Sequence, residues 1–252
     1  MAFDPSSSDT DRVVANLIVA NLAAIHARIR TACARAGRTP DSVELMAVTK
    51  TVAPPAIRAA LLAGVRLLGE NRVQEWEEKR PLLDADLLRT GAACRLIGHL
   101  QGNKAKRAVE LFAGVAEGVD SVDSLRLAER LNAAALQRGY PLPVLLEINI
   151  GHEDQKAGVL PEEAPRLAEG VAGLPGLRLE GLLAIPPQHA DPEQSRPHFA
   201  ALRALGEDLA RRLGTASLGL SMGMSHDYPV AIEEGATRVR VGSALFGARP
   251  LK

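Results

Sequence analysis

Residues 43–64, VELMAVTKTVAPPAIRAALLAG, hold a complete strand, loop and helix in 22 positions. The apolar VELMAVTK has the length and β-branched content of a short buried strand. Pro54 and Pro55 suit the first turn of the helix that follows, and Gly64 suits its stop. The same unit recurs downstream. VRLLGEN leads into RVQEWEEKRPLL, CRLIGHLQG into NKAKRAVELFA, and GVAEGVDSVDS into LRLAERLNAAALQRG. In the second half PVLLEINIG precedes PEEAPRLAEGVAGL, LRLEGLLAI precedes PEQSRPHFAALRALGEDLARRL, SLGLSMGMS precedes HDYPVAIEEG, and TRVRVGS precedes ALFGAR. Short apolar strands alternating with helices predict an α/β protein with a parallel sheet under helices, and eight such units predict a closed (β/α)8 TIM barrel.

Upstream, VVANLIVANLAAIHARIRTACARAG from Val13 to Gly37 has helical apolar spacing and adds an N-terminal helix outside the repeat. Residues 1–11 are polar and acidic and are expected to be a disordered tail, with 12–252 a single barrel domain. A length of 252 residues suits one such barrel.

Thirty Lys and Arg balance thirty Asp and Glu, so there is no net field to attract nucleic acid or an anionic membrane. Cys33 and Cys94 stand far apart in the chain, as expected of two reduced thiols. The N-terminus lacks the basic and apolar regions of a signal peptide, and no uninterrupted apolar run is long enough to span a membrane. The expectation is a soluble, cytoplasmic protein.

Side chains alternate along a strand, which puts Met46, Val48 and Lys50 on one face and Leu45, Ala47 and Thr49 on the other. If the first face lines the barrel, Lys50 stands at its C-terminal mouth. There partial desolvation would lower the pKa of the amine and fit it to attack a carbonyl. The same position also suits a lysine reaching into solvent, and the strand alone does not decide. Asn71, Asn149, Ser225, Arg240, Gly242 and Ser243 belong to the same mouth by their strand-end positions. GMS at 223–225 and GS at 242–243 end the seventh and eighth strands. Glycine followed by a helix start offers backbone N–H groups to a phosphate there. Ser225 and Ser243 also suit helix N-caps, a role compatible with phosphate binding.

A reactive lysine on strand one, a phosphate cup after strands seven and eight and an arginine nearby describe a pyridoxal 5′-phosphate (PLP) site. LMAVTKTVAPPAI, GVRLLGENRVQE, LIGHLQGNKAK, SVDSLRLAERLN, EINIGHEDQKAGV, GLLAIPP and LSMGMSHDYPVAIEEGATRVRVGSALFGAR stand in the order found in one family. From about Asn16 to Arg249 the chain resembles the pyridoxal phosphate homeostasis proteins, also called the YggS or PROSC family. The resemblance implies an alanine-racemase-like barrel of PLP fold type III, with Lys50 as the internal aldimine. It further implies that Ser225, Gly242 and Ser243 hold the phosphate, that Arg240 faces the pyridine nitrogen, and that Asn71 lies near the ring; Asn149, Gly223 and Met224 are expected cofactor-binding residues by their strand-end positions.

The family often has His where this chain has Arg95, so Arg95 receives no role. His99 suits a structural strand-end histidine, and Lys156 suits either the family pattern or a solvated loop charge. No His, Cys, Asp or Glu set has metal-ligand spacing; His189 and His198 lie nine apart.

The function implied is a carrier that holds PLP and takes part in its homeostasis and that of amino and keto acids. Two alternatives are a PLP-dependent amino-acid racemase and a Schiff-base class I aldolase. Racemases of this fold type add a β domain that brings a tyrosine to the cofactor. Here only PLK follows Arg249, Tyr140 precedes the fifth strand, and Tyr228 alone is close enough to the cup to leave the question open. The expected partners are PLP, with small amino acids and cofactor-free PLP enzymes as further candidates. A monomer is expected, with no nucleic-acid or membrane partner.

Overall fold

The computed structural model describes residues 9–112, 114 and 117–247. Eight parallel strands close into a barrel in sequence order: β1 Glu44–Val48, β2 Leu67–Glu70, β3 Ala93–Leu96, β4 Gly118–Val122, β5 Leu142–Ile148, β6 Leu177–Ala184, β7 Gly219–Met224 and β8 Arg238–Val241. The helices between them are α2 Pro54–Ala63, α3 Val73–Thr90, α4 Ala105–Phe112, α5 Leu125–Leu136, α6 Ala164–Ala172, α7 Arg196–Leu213 and α8 Tyr228–Glu233, and the short α9 Ser243–Phe246 follows β8. The repeat read from the sequence is therefore the barrel itself.

The extra N-terminal helix, α1, runs from Asp9 to Arg35. Residues 9–11 of the expected tail are thus helical, and 1–8 lie outside the described residues, as do 248–252 of the expected domain. Between Arg12 and Arg35, α1 is long and apolar enough to cross a membrane, with a mean hydropathy of 1.3, although no unbroken apolar run marks it in the sequence. Its Ile18, Leu22, Ile25 and Ile29 stripe is buried in the protein's own core, where α1 packs beside α2, α8 and α9. That packing accounts for the apolar stripe.

Strand parity sorts the interior from the exterior as expected. Met46, Val48, Leu67, Ala93, Ile97, Leu145 and Leu183 form an inner cluster, while Ala47, Leu68, Cys94, Leu146 and Leu182 belong to the layer between sheet and helices. Gly69 leaves room for Met46 on the inner face of β2, where a Cβ would stand 2.6 Å from Met46 Sδ. Near the N-terminal end of the barrel, ion pairs replace aliphatic packing. Arg95, 1% exposed, donates from Nε to Asp120 Oδ1 at 2.5 Å and from Nη1 to Glu180 Oε2 at 3.1 Å. Arg238 joins Asp120 Oδ2 to Glu44. Arg95 is thus held in a buried ion-pair network at the end of the barrel away from the mouth.

Candidate cofactor site at the barrel mouth

At the C-terminal end of the strands a cavity of about 520 Å3 opens to solvent, a volume in the range of small-molecule sites. Lys50, two residues beyond the end of β1 and above the inward-facing Val48, lines it together with Asn71, Met224, Ser225, Arg240, Gly242 and Ser243. Seven of the nine expected site residues therefore meet in one cavity. The parity argument for Lys50 holds, because Met46 and Val48 below it belong to the inner cluster.

Asn149 and Gly223 do not line this cavity. Asn149 is 8% exposed and clips the loop after β5: Nδ2 donates to Glu153 O at 2.9 Å, and Oδ1 accepts from Glu153 N at 3.0 Å. Gly223 works through backbone shape. Its φ of +87° is left-handed, and a Cβ would approach Ala231 Cβ to 2.6 Å and Tyr228 Cα to 2.9 Å, so only glycine lets α8 sit this close to β7.

Arg240 pairs with Met46 across the β8–β1 ladder and is 3% exposed. Its Nη1 donates to Ser221 O at 2.6 Å and Ser221 Oγ at 2.9 Å, and its Nη2 to Ala184 O at 2.9 Å. The guanidinium is thus anchored to β6 and β7 by carbonyls and a hydroxyl rather than by a carboxylate. Burial pulls its ionisation down to about 10, with Asp120 and Glu147 opposing, so it stays cationic at neutral pH.

Ser225 does not cap the helix after its own strand. Its Oγ accepts from Gly242 N and Ala244 N, each at 3.2 Å, and so caps α9 across the mouth. Asp227 stands at the N-cap position of α8 without a side-chain cap bond; its Oδ1 instead accepts from Met224 N at the end of β7 at 2.7 Å. Ser243, the first residue of α9, makes no side-chain cap bond. Two backbone N–H groups from β8–α9 and the hydroxyls of Ser225 and Ser243 thus cluster at one side of the cavity. The donor set comprises an amine, a guanidinium, two hydroxyls and two amides. It fits a flat ring that carries an aldehyde and a phosphate arm on adjacent carbons and a nitrogen opposite the aldehyde.

Ile185, Pro186, Pro187, Gln188 and His189 after β6 wall the cavity, as do His226 and Asp227 after β7. In sequence all but Gln188 and His189 fall within the quoted motifs, yet none received a site role; their place at the C-terminal end of a barrel strand is the signal for one. His226 Nε2 meets Ala190 O at 3.0 Å and joins the two loops. The His189 and His198 rings stack at 6.2 Å, and burial holds the His198 imidazole below its usual range. Lys156 ties this wall to the loop after β5, donating to Pro186 O at 3.1 Å and pairing with Glu153. His99 does not line the cavity; its Nδ1 pairs with Asp123 at 3.2 Å. Among the described residues no group of three or more His, Cys, Asp or Glu is placed to hold a metal ion.

Neither tyrosine reaches the cavity. Tyr228 is fully buried on the outer side of the sheet, with the Arg28 guanidinium 4.8 Å from its ring centre. Tyr140 is half-exposed before β5.

A closed eight-stranded barrel with a lysine beyond β1 and an amide cup at β7–β8 defines the class of the alanine racemase N-terminal domain, whose family model matches residues 20–250. The alanine racemase of Corynebacterium glutamicum shares the fold, with a TM-score of 0.67 at 16% identity over 94% of this chain and 62% of the racemase. Within that class the chain belongs to the pyridoxal phosphate homeostasis protein family. It is 45% identical to the member from Pseudomonas aeruginosa over 92% of this chain and 96% of the relative. The crystal structure of PipY from Synechococcus elongatus with PLP bound superposes with a TM-score of 0.76 at 35% identity, covering 91% of this chain and all of PipY.

Proposed function

We propose that this protein binds pyridoxal 5′-phosphate in the cavity at the barrel mouth and holds it as a carrier that takes part in intracellular PLP homeostasis, acting in the cytoplasm as a monomer. The observation that carries the reading is the placement of Lys50, Arg240 and the Ser225–Gly242–Ala244 amide cup around one cavity of suitable size. When bound, the cofactor supplies an aldehyde that exchanges between amines. Lys50 would hold the cofactor through its amine, and the hydroxyls of Ser225 and Ser243, beside the Gly242 and Ala244 amides that Ser225 Oγ now engages, would hold the phosphate. Asn71 and Met224 flank the ring, and Gly223 shapes the turn behind the cup. Arg240 offers N–H donors to the ring nitrogen. A fixed cation there disfavours protonation of that nitrogen and so weakens the ring as an electron sink.

Carriage is favoured over racemisation because the open mouth excludes water poorly and both tyrosines stand away from it. The buried thiols Cys33 and Cys94, both unpaired, accord with a reducing compartment. Small amino acids and cofactor-free enzymes are the partners to which such a carrier would release its load. The test is borohydride reduction with PLP followed by peptide mapping. The pyridoxyl group is expected on Lys50 and absent from Lys50→Ala, whereas its recovery on Lys156 or Lys104 would overturn the assignment.

A further inference from the structure

Lys50 stands between two residues held by one ionic cluster on the outer side of the sheet. Thr51, directly after it, has a φ of +62°, a left-handed conformation that a β-branched residue rarely adopts. Its N–H donates to Glu75 Oε1 on α3. One helical turn further on, Lys79 Nζ donates to that same Glu75 oxygen at 2.6 Å, to Glu70 Oε1 at 2.8 Å and to the carbonyl of Thr49 at 2.7 Å. Thr49 Oγ1 closes the ring with a 2.7 Å bond to Glu70 Oε1. Glu70 is fully buried and Lys79 is 8% exposed. Burial alone would raise the Glu75 carboxyl, yet the Lys79 ammonium and the Thr51 amide hold it below its ordinary range, so it is a carboxylate at neutral pH.

We propose that Glu75, backed by Lys79 and Glu70, is a positioning residue for Lys50. The cluster bonds the backbone immediately before the lysine at the Thr49 carbonyl and immediately after it at the Thr51 amide. It thereby holds a strained turn that sends the lysine side chain toward the cavity rather than along the strand. None of the three charged groups lines the cavity, so their effect reaches the cofactor only through Lys50. A cluster that served only to dock α3 on the sheet would not need to engage both neighbours of the lysine.

The proposal rests on the cofactor reading above, and its test separates the two. Binding of PLP, whose aldehyde condenses with the Lys50 amine to form C=N and release water, is compared with binding of 4-deoxypyridoxine 5′-phosphate, which has the ring and phosphate but no aldehyde. Glu75→Ala is expected to weaken PLP about ten-fold, the loss of one hydrogen bond to a charged group, and to slow borohydride fixation at Lys50, while the deoxy analogue stays within about two-fold. Glu75→Gln keeps an acceptor for the Thr51 amide and is expected to recover most of the loss. Lys79→Met opens the cluster from the Thr49 side and is expected to give the same selective loss, so the test stands if Glu75→Ala fails to fold. Equal losses for both ligands, or none, in a protein whose wild type traps at Lys50 would overturn the positioning role alone. A wild type that yields no Lys50 adduct would overturn the cofactor reading and this inference with it.

Discussion

Glu147, near the end of β5, offers a quantitative test of the electrostatics beside the cavity. The side chain is 9% exposed, and its Oε2 has no hydrogen-bond partner among the described residues. Burial, reinforced by the negative charge of Asp123 and only partly offset by Arg240 and His99, raises its ionisation from 4.5 to about 7. The folded protein therefore binds a proton that the unfolded chain has lost between pH 4.5 and pH 7. Stability must fall as pH rises through that window, and above it Glu147 is a destabilising buried charge. At about 1.36 kcal/mol per pH unit, a rise of this size corresponds to about 3 kcal/mol. Glu147→Gln has the same shape and does not titrate. In urea unfolding without cofactor it should match wild type near pH 4.5 and exceed it by up to about 3 kcal/mol near pH 8, with unchanged m. The opposite result, a variant that loses stability mainly at pH 8, would show that the folded protein lowers the Glu147 ionisation instead of raising it, by pairing the carboxylate with Arg240. The guanidinium would then not present the uncompensated charge on which the reading of the ring nitrogen depends.

Two further outcomes follow from the cup and the anchored arginine. Ser225→Ala combined with Ser243→Ala should weaken PLP far more than unphosphorylated pyridoxal, since hydrogen bonds to a charged group contribute about 1.5–3 kcal/mol each; equal losses in titrations with both ligands would put the phosphate elsewhere. Arg240→Gln should still trap at Lys50 with lowered affinity, and wild type mixed with amino acids should exchange its aldehyde between amines with negligible turnover. Sustained racemisation by wild type that is absent from Lys50→Ala, followed by polarimetry, would defeat the carrier reading.

The barrel was legible because each strand–helix unit carries its own punctuation, and Lys50 because parity along five residues of β1 fixes the face it shares with Met46 and Val48. Two of the expected site residues stand outside the cavity lining, for different reasons. Asn149 has the right strand-end position, but the loop after β5 folds back, and Glu153 takes both ends of its amide. Gly223 has the right turn, but its role is to admit α8. The proline-rich wall at 185–189 begins inside the GLLAIPP motif, but its role could not be read there, since apolar loop residues gain meaning only when a neighbouring loop closes over them. Partner choice was equally out of reach. Parity puts Arg95 inside the barrel, but nothing in the sequence selects Asp120, 25 residues away, as its partner. Glu75 and Lys79 read as an ordinary i,i+4 pair until the strained Thr51 amide is seen beside them.

The location of Tyr228 changes what an enzyme reading would need. Proton transfer on both faces of a flat ring requires a second group opposite the lysine, and in sequence Tyr228 was the remaining candidate. It is buried against Arg28 on the far side of β7, so no rotation of its side chain brings it into the cavity without unpacking α1 from α8. The groups that do line the wall opposite β1 are imidazoles. His226 is committed to the Ala190 carbonyl, and its Nε2 serves as a brace between two loops. His189 differs: it lines the cavity while its Nε2 is buried without a hydrogen-bond partner among the described residues. Its buried nitrogen is turned toward His198, on which the ring stacks, and not into the open cavity. With both tyrosines away from the cavity, and with the proposed Arg240 cation at the ring nitrogen weakening the electron sink, the site suits exchanging an aldehyde between amines better than stabilising the carbanion that racemisation requires.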